Sequence, residues 1–362
     1  MSSLLDFGWG EPFKSAFAPY AADGLEPARV TCELRRNFYA VQRESGEVLG
    51  ECGGGFFHEA KTADRFPAIG DWVAVEPRSG ESRADIRAVL PRRTKFSRRA
   101  AGTEEIEQIV AANVDTVFLV SGLDHNFNPQ RVQRFLVAAK DSGAEAVILL
   151  NKSDIAGDPE EALEEMKALA VGVPVFLTST VTRKGLKALT ATYAKRGATL
   201  AFIGSSGTGK SSLVNALLRD EALPVGEVRE KDSKGRHTTT RRELVLTPSG
   251  ALVIDTPGLR ELQFWGAGDG IEGTFSDITA LALRCRFGNC SHEAEQGCAV
   301  QAAIQAGKLA PERFAAYQKL KLEAGLRGEK FKKASAIASK PGWRQRSDHQ
   351  KPFRHRFHRD DE

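Results

Sequence analysis

The chain is 362 residues long, 41% hydrophobic and 27% charged, with a formal net charge of +4. That length asks for two or three domains, and the apolar content suffices for buried cores. No apolar run reaches the roughly 18 residues a membrane helix needs, and the first ten residues, from Met1 to Gly10, lack the basic start and apolar stretch of a secretory signal, so a cytoplasmic protein is expected.

Residues 1–27 read as an irregular N-terminal arm. From Ala28 to Pro91 the pattern turns β-like: a loosely alternating stretch Val30–Val41, then Val48–Cys52 and Trp72–Glu76, separated by Gly-rich or charged turns. Several short strands in so short a span predict a small barrel, an OB-fold above all. Phe38, Tyr39, Phe56, Phe57 and Trp72 either stack on bases or fill the barrel. Pro91–Gly102 carries four arginines and one lysine with no clear period, and reads as a basic linker suited to RNA phosphates.

From residue 108 the pattern becomes strand, helix, strand. Strands are expected at 114–120, 146–150, 173–177, 198–203, 242–246 and 251–255, and helices at 129–140, 159–169, 184–195 and 212–218. Repeated βα units imply a mostly parallel sheet with ligands at the carboxyl ends of its strands.

Gly204, Ser205, Ser206, Gly207, Thr208, Gly209, Lys210 and Ser211 give Gly, four residues, Gly-Lys-Ser between a predicted strand and a predicted helix that continues from Ser212. That is the spacing of a loop whose backbone N–H groups cradle phosphates, helped by the positive end of the following helix. Lys210 can reach the β- and γ-phosphates, and the Ser211 hydroxyl can bind Mg²⁺.

Asn151-Lys152-Ser153-Asp154 follows the 146–150 strand. A carboxylate at Asp154 accepts from the N1 and N2 hydrogens of guanine, a donor pair adenine lacks. Asn151 can meet the other edge of the base, and the Lys152 stem can pack on its ring. Thr178 and Ser179, after the 173–177 strand, can close over the base. Asp255 and Gly258 of the Asp-Thr-Pro-Gly stretch can hold Mg²⁺ through a water and meet the γ-phosphate. Between these motifs lies Glu227–Arg242, where a switch threonine, Thr239 by preference, would complete the Mg²⁺ shell. Leu259 occupies the place where many GTPases carry the glutamine that orients water, so His237 becomes the candidate for that task.

The order of these motifs is informative. The guanine-reading motif comes first, then the phosphate loop, then Asp-Thr-Pro-Gly, which is a circular permutation of the Ras-like order.

Cys285, Cys290, His292 and Cys298 have the donor types and close spacing of a four-coordinate zinc site with no open position, hence one structural Zn²⁺. Helices are expected at 274–283, 299–306 and 311–327. Residues 328–362 read as a basic disordered tail, with ten Lys/Arg and one acid between Lys330 and Arg359; it either contacts RNA phosphates or merely solubilises.

Together these residues resemble the bacterial small-subunit-dependent GTPases of the RsgA/YjeQ family, circularly permuted TRAFAC GTPases. The resemblance spans residues 28–327 and rests on the barrel, Asn151–Asp154 ahead of Gly204–Ser212, Gly235–Thr240, Asp255–Gly258 with Leu259, and the Cys-Cys-His-Cys module last; Asn126-Phe127-Asn128 and Arg131 fit as well. It implies a multidomain protein: an arm at 1–27, an OB-fold RNA-binding barrel and basic linker at 28–102, a permuted GTPase domain at 103–262, a zinc-binding helical domain at 263–327, and the tail at 328–362. It implies a monomer that binds GTP and GDP with Mg²⁺, docks on the 30S subunit and its 16S rRNA late in maturation, hydrolyses GTP faster there, and leaves. His237 would position the water. Two rivals stand beside this reading: a nucleotide-gated binding protein with incidental hydrolysis, and an ATP-using P-loop enzyme, against which Asp154 speaks.

Overall fold

A computed structural model describes residues 3–338 apart from 36, 61, 100–106, 126, 219–242, 256–267 and 294. The N-terminal 27 residues are not an irregular arm. Glu11–Ala21 is a helix, α1, with Pro12 in its first turn, where a missing N–H costs nothing. Phe13 and Phe17, four residues apart, are its buried face. Trp9 lies 4.6 Å from the Trp72 ring, and Phe13 lies 5.7 Å from it. A helix of three turns with two buried residues and Pro19 inside it leaves little periodic trace in the sequence.

The barrel is built from β1 (Glu26–Arg35), β2 (Phe38–Arg43), β3 (Gly46–Cys52), β4 (Trp72–Pro77) and β5 (Arg83–Val89), with a short helix α2 (Gly54–Glu59) between β3 and β4. The strand order is β1-β2-β3-β5-β4, and β4 pairs back onto β1, which closes the barrel. Only β3 and β5 are parallel; β4 intervenes in the chain and supplies the crossover that parallel neighbours need. Val30, Tyr39, Val41, Val73, Val75 and Ile86 fill the interior. Tyr39 and Trp72 are therefore structural: they are 3% and 0% exposed.

The basic stretch after the barrel is not an aperiodic linker. Lys95–Arg99 forms β6 and pairs antiparallel with β7 (Glu107–Ala112), from Lys95 opposite Ala112 to Arg99 opposite Glu107. Phe96 is buried, and Lys95 is paired with Glu107 at 3.0 Å. A partner strand so far along the chain is invisible to a local pattern. The expected domain boundary at 102/103 falls inside this hairpin.

The α/β domain follows the predicted alternation: β8 (Thr116–Gly122), α3 (Pro129–Ser142), β9 (Glu145–Asn151), α4 (Pro159–Leu169), β10 (Val175–Leu177), α5 (Leu186–Tyr193), β11 (Thr199–Ile203), α6 (Lys210–Leu218), β12 (Glu243–Leu246) and β13 (Leu252–Asp255). The sheet order is β10-β9-β8-β11-β13-β12. The first five strands are parallel and β12 is antiparallel. Every residue of β8 and β11 is buried, as expected where helices cover both faces. At its far edge β12 bridges to the barrel, Glu243 opposite Cys32.

Barrel and sheet also meet at Arg29, which is 2% exposed. Its guanidinium donates to the carbonyls of Phe7, Gly70 and Asn113 and to Thr199 Oγ1, and lies over the Trp72 ring. One side chain thus ties the N-terminal segment, the barrel and the first residue of β11. Burial pulls its pKa down to about 10, against the pull of Asp115 and Asp71.

The C-terminal module holds α7 (Gly268–Thr274), α8 (Ser276–Ala282), α9 (Ala299–Gln305) and α10 (Pro311–Ala338). The helix expected at 274–283 is α8, and α7 is a further helix that precedes it, the two joining at the buried Phe275. Gly270 lets α7 sit directly on α3: a Cβ there would lie 2.3 Å from the Val137 carbonyl. Arg313, 2% exposed, donates to both carboxylate oxygens of Asp277, to the Thr274 carbonyl and to the Leu169 carbonyl at the end of α4. From Gln318 the chain forms a unit of its own. The basic tail does not begin as disorder at 328, because α10 continues to Ala338 through a stretch rich in Lys and Ala, both good helix formers. Residues 339–362 lie outside the described residues.

Candidate functional site

The phosphate loop leaves the buried end of β11 and enters α6 at Lys210, as its spacing predicts. Two of its glycines are required by close packing. A Cβ on Gly204 would lie 2.2 Å from the Val120 carbonyl, and one on Gly209 (φ +91°) would lie 2.2 Å from Asn151 Nδ2. Ser206, Gly207, Ser211 and Ser212 are exposed, as a loop that receives a ligand must be, while Thr208 and Lys210 are buried. Lys210 Nζ donates to the Ser205 carbonyl and sits 3.5 Å from Thr208 Oγ1. The ammonium therefore lies within the loop's own curve, where the β- and γ-phosphates would draw it.

Asn151 is the last residue of β9 and is 1% exposed. Its Nδ2 donates to the Thr208 carbonyl at 3.0 Å, and its Oδ1 accepts from Thr178 Oγ1 at 3.2 Å. The Thr178 N–H donates to the Leu150 carbonyl, and the Ser153 N–H donates to the Thr178 carbonyl. One amide thus clamps three loops that are far apart in the chain. Thr178 is a brace within the site, not an exposed lid. Ser179 is buried too, and its Oγ accepts from the Val181 and Thr182 N–H groups, which shapes the turn. Asp154 is exposed at the mouth of these loops, free of the packing that fixes its neighbours.

Lys152 takes a left-handed backbone (φ +63°) and its Nζ pairs with Asp124 Oδ2 at 2.6 Å. Asp124 is a residue that motif matching passes over. Its signal is positional: it lies two residues beyond β8, at the carboxyl end of a strand, where ligand contacts gather. Arg131, in the first turn of α3, reaches the other end of the site, its NH1 3.1 Å from Ser205 Oγ.

Asp255 ends β13, which runs beside β11 with Ala201 opposite Ile254, so the chain delivers Asp255 next to the phosphate loop. His237, Thr239, Gly258 and Leu259, together with Asn126, lie outside the described residues.

A second centre lies in the C-terminal module. The donor atoms of Cys285, Cys290, His292 and Cys298 all lie within 4.8 Å of one another. Cys285 Sγ is 3.9 Å from Cys298 Sγ, and each is 3.5 Å from His292 Nδ1. Zinc–sulfur bonds of about 2.3 Å in a tetrahedron set sulfurs about 3.8 Å apart, so the four residues fit that ion. Cys298 also accepts from the Gln301 N–H at the start of α9, and Gln301 donates to the His292 carbonyl at 2.6 Å. Beside the cluster, the hydroxyl and N–H of Ser291 hold the Glu295 carboxyl down to about 2 and tighten the loop that carries His292.

Comparison with known proteins agrees with this geometry. The family model described as RsgA GTPase matches residues 89–265. A protein of Opitutus terrae named small ribosomal subunit biogenesis GTPase RsgA is 44% identical over 351 residues, covering 94% of this chain and 95% of its own. The crystal structure of YjeQ from Thermotoga maritima aligns with a TM-score of 0.62 at 26% identity, over 83% of this chain and 98% of the other. That of YloQ, described as a circularly permuted GTPase, aligns with a TM-score of 0.61 at 26% identity, over 84% and 96%.

Proposed function

The chain belongs to the RsgA GTPase family, and from that premise we propose that it binds the small ribosomal subunit during biogenesis and hydrolyses GTP to GDP and phosphate to control its own release. The observation that carries this reading is the Asn151 clamp. It brings a guanine-reading loop ending in Asp154 against a phosphate loop, although the two motifs stand in permuted order. An ATP-using enzyme has no use for a carboxylate at Asp154.

In this reading Gly204–Ser212 cradles the phosphates, with Lys210 neutralising the β- and γ-oxygens. Asn151, Lys152, Ser153 and Asp154 hold the base, with Thr178 and Ser179 shaping the wall behind it. Ser211, Thr239 and Asp255 hold Mg²⁺, which when bound draws charge from the phosphates. Gly258 meets the γ-phosphate. His237 positions the attacking water, because Leu259 has no hydrogen-bonding group for it. Cys285, Cys290, His292 and Cys298 hold one structural Zn²⁺ that fixes the C-terminal module. The barrel, the β6–β7 hairpin and the basic C-terminal segment supply contacts to 16S rRNA, and the protein acts as a cytoplasmic monomer. No helix among the described residues is long and apolar enough to cross a membrane.

The test is GTP turnover with and without purified 30S particles. Stimulation by 30S is expected, and none would overturn the proposal. His237→Ala is expected to bind GTP normally and to lose most of the stimulated rate; unchanged turnover would remove His237 from the mechanism.

A further inference from the structure

We propose that Arg131 is a second cation for the γ-phosphoryl group, acting beside Lys210 in hydrolysis. This rests on the GTPase reading of the same site. Arg131 is the third residue of α3, capped by Asn128, whose Oδ1 accepts from the Arg131 N–H at 3.0 Å. The helix is thereby fixed at the base of the side chain. Its NH1 donates to Ser205 Oγ at 3.1 Å across 74 residues of chain. Ser205 is also where Lys210 rests, through its backbone carbonyl. A phosphate-loop lysine serves the β- and γ-phosphates. Arg131 is therefore held at that end of the triphosphate, not at the base.

The electrostatics point the same way. The first turn of a helix favours anions and opposes cations. Arg131 stands in such a turn, its described partner is a neutral hydroxyl, and a second cation shares the same serine. The triphosphate brings an anion to the corner where Arg131 and Lys210 both meet Ser205. As water attacks the γ-phosphorus and the bond to the β–γ bridging oxygen breaks, negative charge grows on the bridging oxygen and the β-phosphate. A guanidinium, with five donors in a planar fork, can follow that charge while keeping its hold on Ser205.

The same segment governs both ends of the site. Asp124 pairs with Lys152 on the base side, the Leu123 N–H donates to the Asn151 carbonyl, and Arg131 holds Ser205 on the phosphate side. The stretch between β8 and α3 thus works as a rail along the nucleotide.

The experiment measures single-turnover GTP hydrolysis by the full chain, without and with 30S, for wild type, Arg131→Ala and Arg131→Lys, together with GDP affinity and melting temperature. Arg131→Ala is expected to lower the intrinsic rate on the order of a hundredfold, as loss of one preorganised transition-state donor does, while GDP affinity changes less than about threefold. Arg131→Lys is expected to stay slow, since lysine lacks the fork. Added methylguanidine is expected to restore part of the rate in Arg131→Ala and none in wild type. A rate within about threefold of wild type in either variant, or loss of GDP affinity in step with the rate and no rescue, would overturn the proposal. The comparison uses the intrinsic rate, so failure of 30S to stimulate wild type would count against the small-subunit reading alone.

Discussion

Asn151 Nδ2 donates to the Thr208 carbonyl at 3.0 Å, so the residue that opens the guanine loop also fixes the phosphate loop. The bond is buried and its two ends are 57 residues apart. In the proposed reading, base recognition and phosphate recognition are therefore not independent. A base that seats Asn151 also sets the phosphate loop, and a distorted phosphate loop withdraws a wall of the base site.

Asn151→Ala is accordingly expected to do more than lose a contact with the base. It strands the Thr208 carbonyl and Thr178 Oγ1 in a dry interior, at a cost of about 1–3 kcal/mol for each group left unpaired. Affinity for GTP and GDP is expected to fall together, with a lower melting temperature in the nucleotide-free protein. Titration of both nucleotides and a thermal melt check this; a loss confined to GTP would show that the clamp is not shared.

Much of this site is legible in sequence because its chemistry requires fixed residues at fixed spacing. Gly204 and Gly209 are readable as glycines of a phosphate loop, though only the structure explains them, through Val120 and Asn151. Thr178 is readable as a site residue but not as a brace, because its partners, Leu150, Asn151 and Ser153, come from the end of another strand. Asp124 escapes motif-based assignment, and Arg131 is marked by the family resemblance without a role, because their roles depend on contacts across the fold. The same limit hid α1 and β6. A three-turn helix that packs two phenylalanines, and a basic strand whose partner begins only at Glu107, owe their order to tertiary contacts and not to local period.

Removing the metal is expected to dissolve the C-terminal cluster selectively. Three thiolates and an imidazole packed within 4.8 Å repel or compete for protons without a cation between them. Cys290→Ser is expected to release bound zinc and to expose the loop from Cys285 to Cys298 to proteolysis, with nucleotide binding retained. Cys298→Ser adds the loss of the sulfur that caps α9 at Gln301, so its helical signal is expected to fall further. Zinc content, limited digestion and circular dichroism measure these outcomes, and a protein that keeps its digestion pattern without zinc would refute the structural role.

The join between that module and the α/β domain is expected to weaken in acid. Burial raises the Asp277 carboxyl, but the paired Arg313 guanidinium more than offsets this and leaves it below the ordinary carboxylate value of 3.8. A lowered folded-state pKa contributes stability that is present above the unfolded value and is lost as pH falls through the folded one. Stability is thus expected to drop as pH falls below about 4, less so in Asp277→Asn. Arg313→Ala is expected to cost about 2–3 kcal/mol at neutral pH, because it takes a buried donor from the Leu169 and Thr274 carbonyls and the charged partner from Asp277, with Gln133 Nε2 still reaching the Leu169 carbonyl at 3.4 Å. Denaturant melts across the pH range test both.

The last expectation concerns how nucleotide state reaches the barrel. Cys32 of β1 stands opposite Glu243 of β12, and Glu243 stands opposite Asp255 of β13. A continuous backbone ladder therefore runs from the barrel to the strand that ends at Asp255. β12 is also the first described strand after the Glu227–Arg242 segment. If GTP fixes that segment and Asp255 together, the start of β12 is held from both sides, and β1 gains a firmer edge to pair with. Hydrogen exchange at Thr31, Cys32 and Glu33 is then expected to be slower with a non-hydrolysable GTP analogue than with GDP, while exchange in β2 and β3 stays unchanged. Equal exchange at Cys32 in both states would mean that the barrel does not sense the γ-phosphate through this ladder, and that any coupling must pass through Arg29 and the opposite end of the sheet.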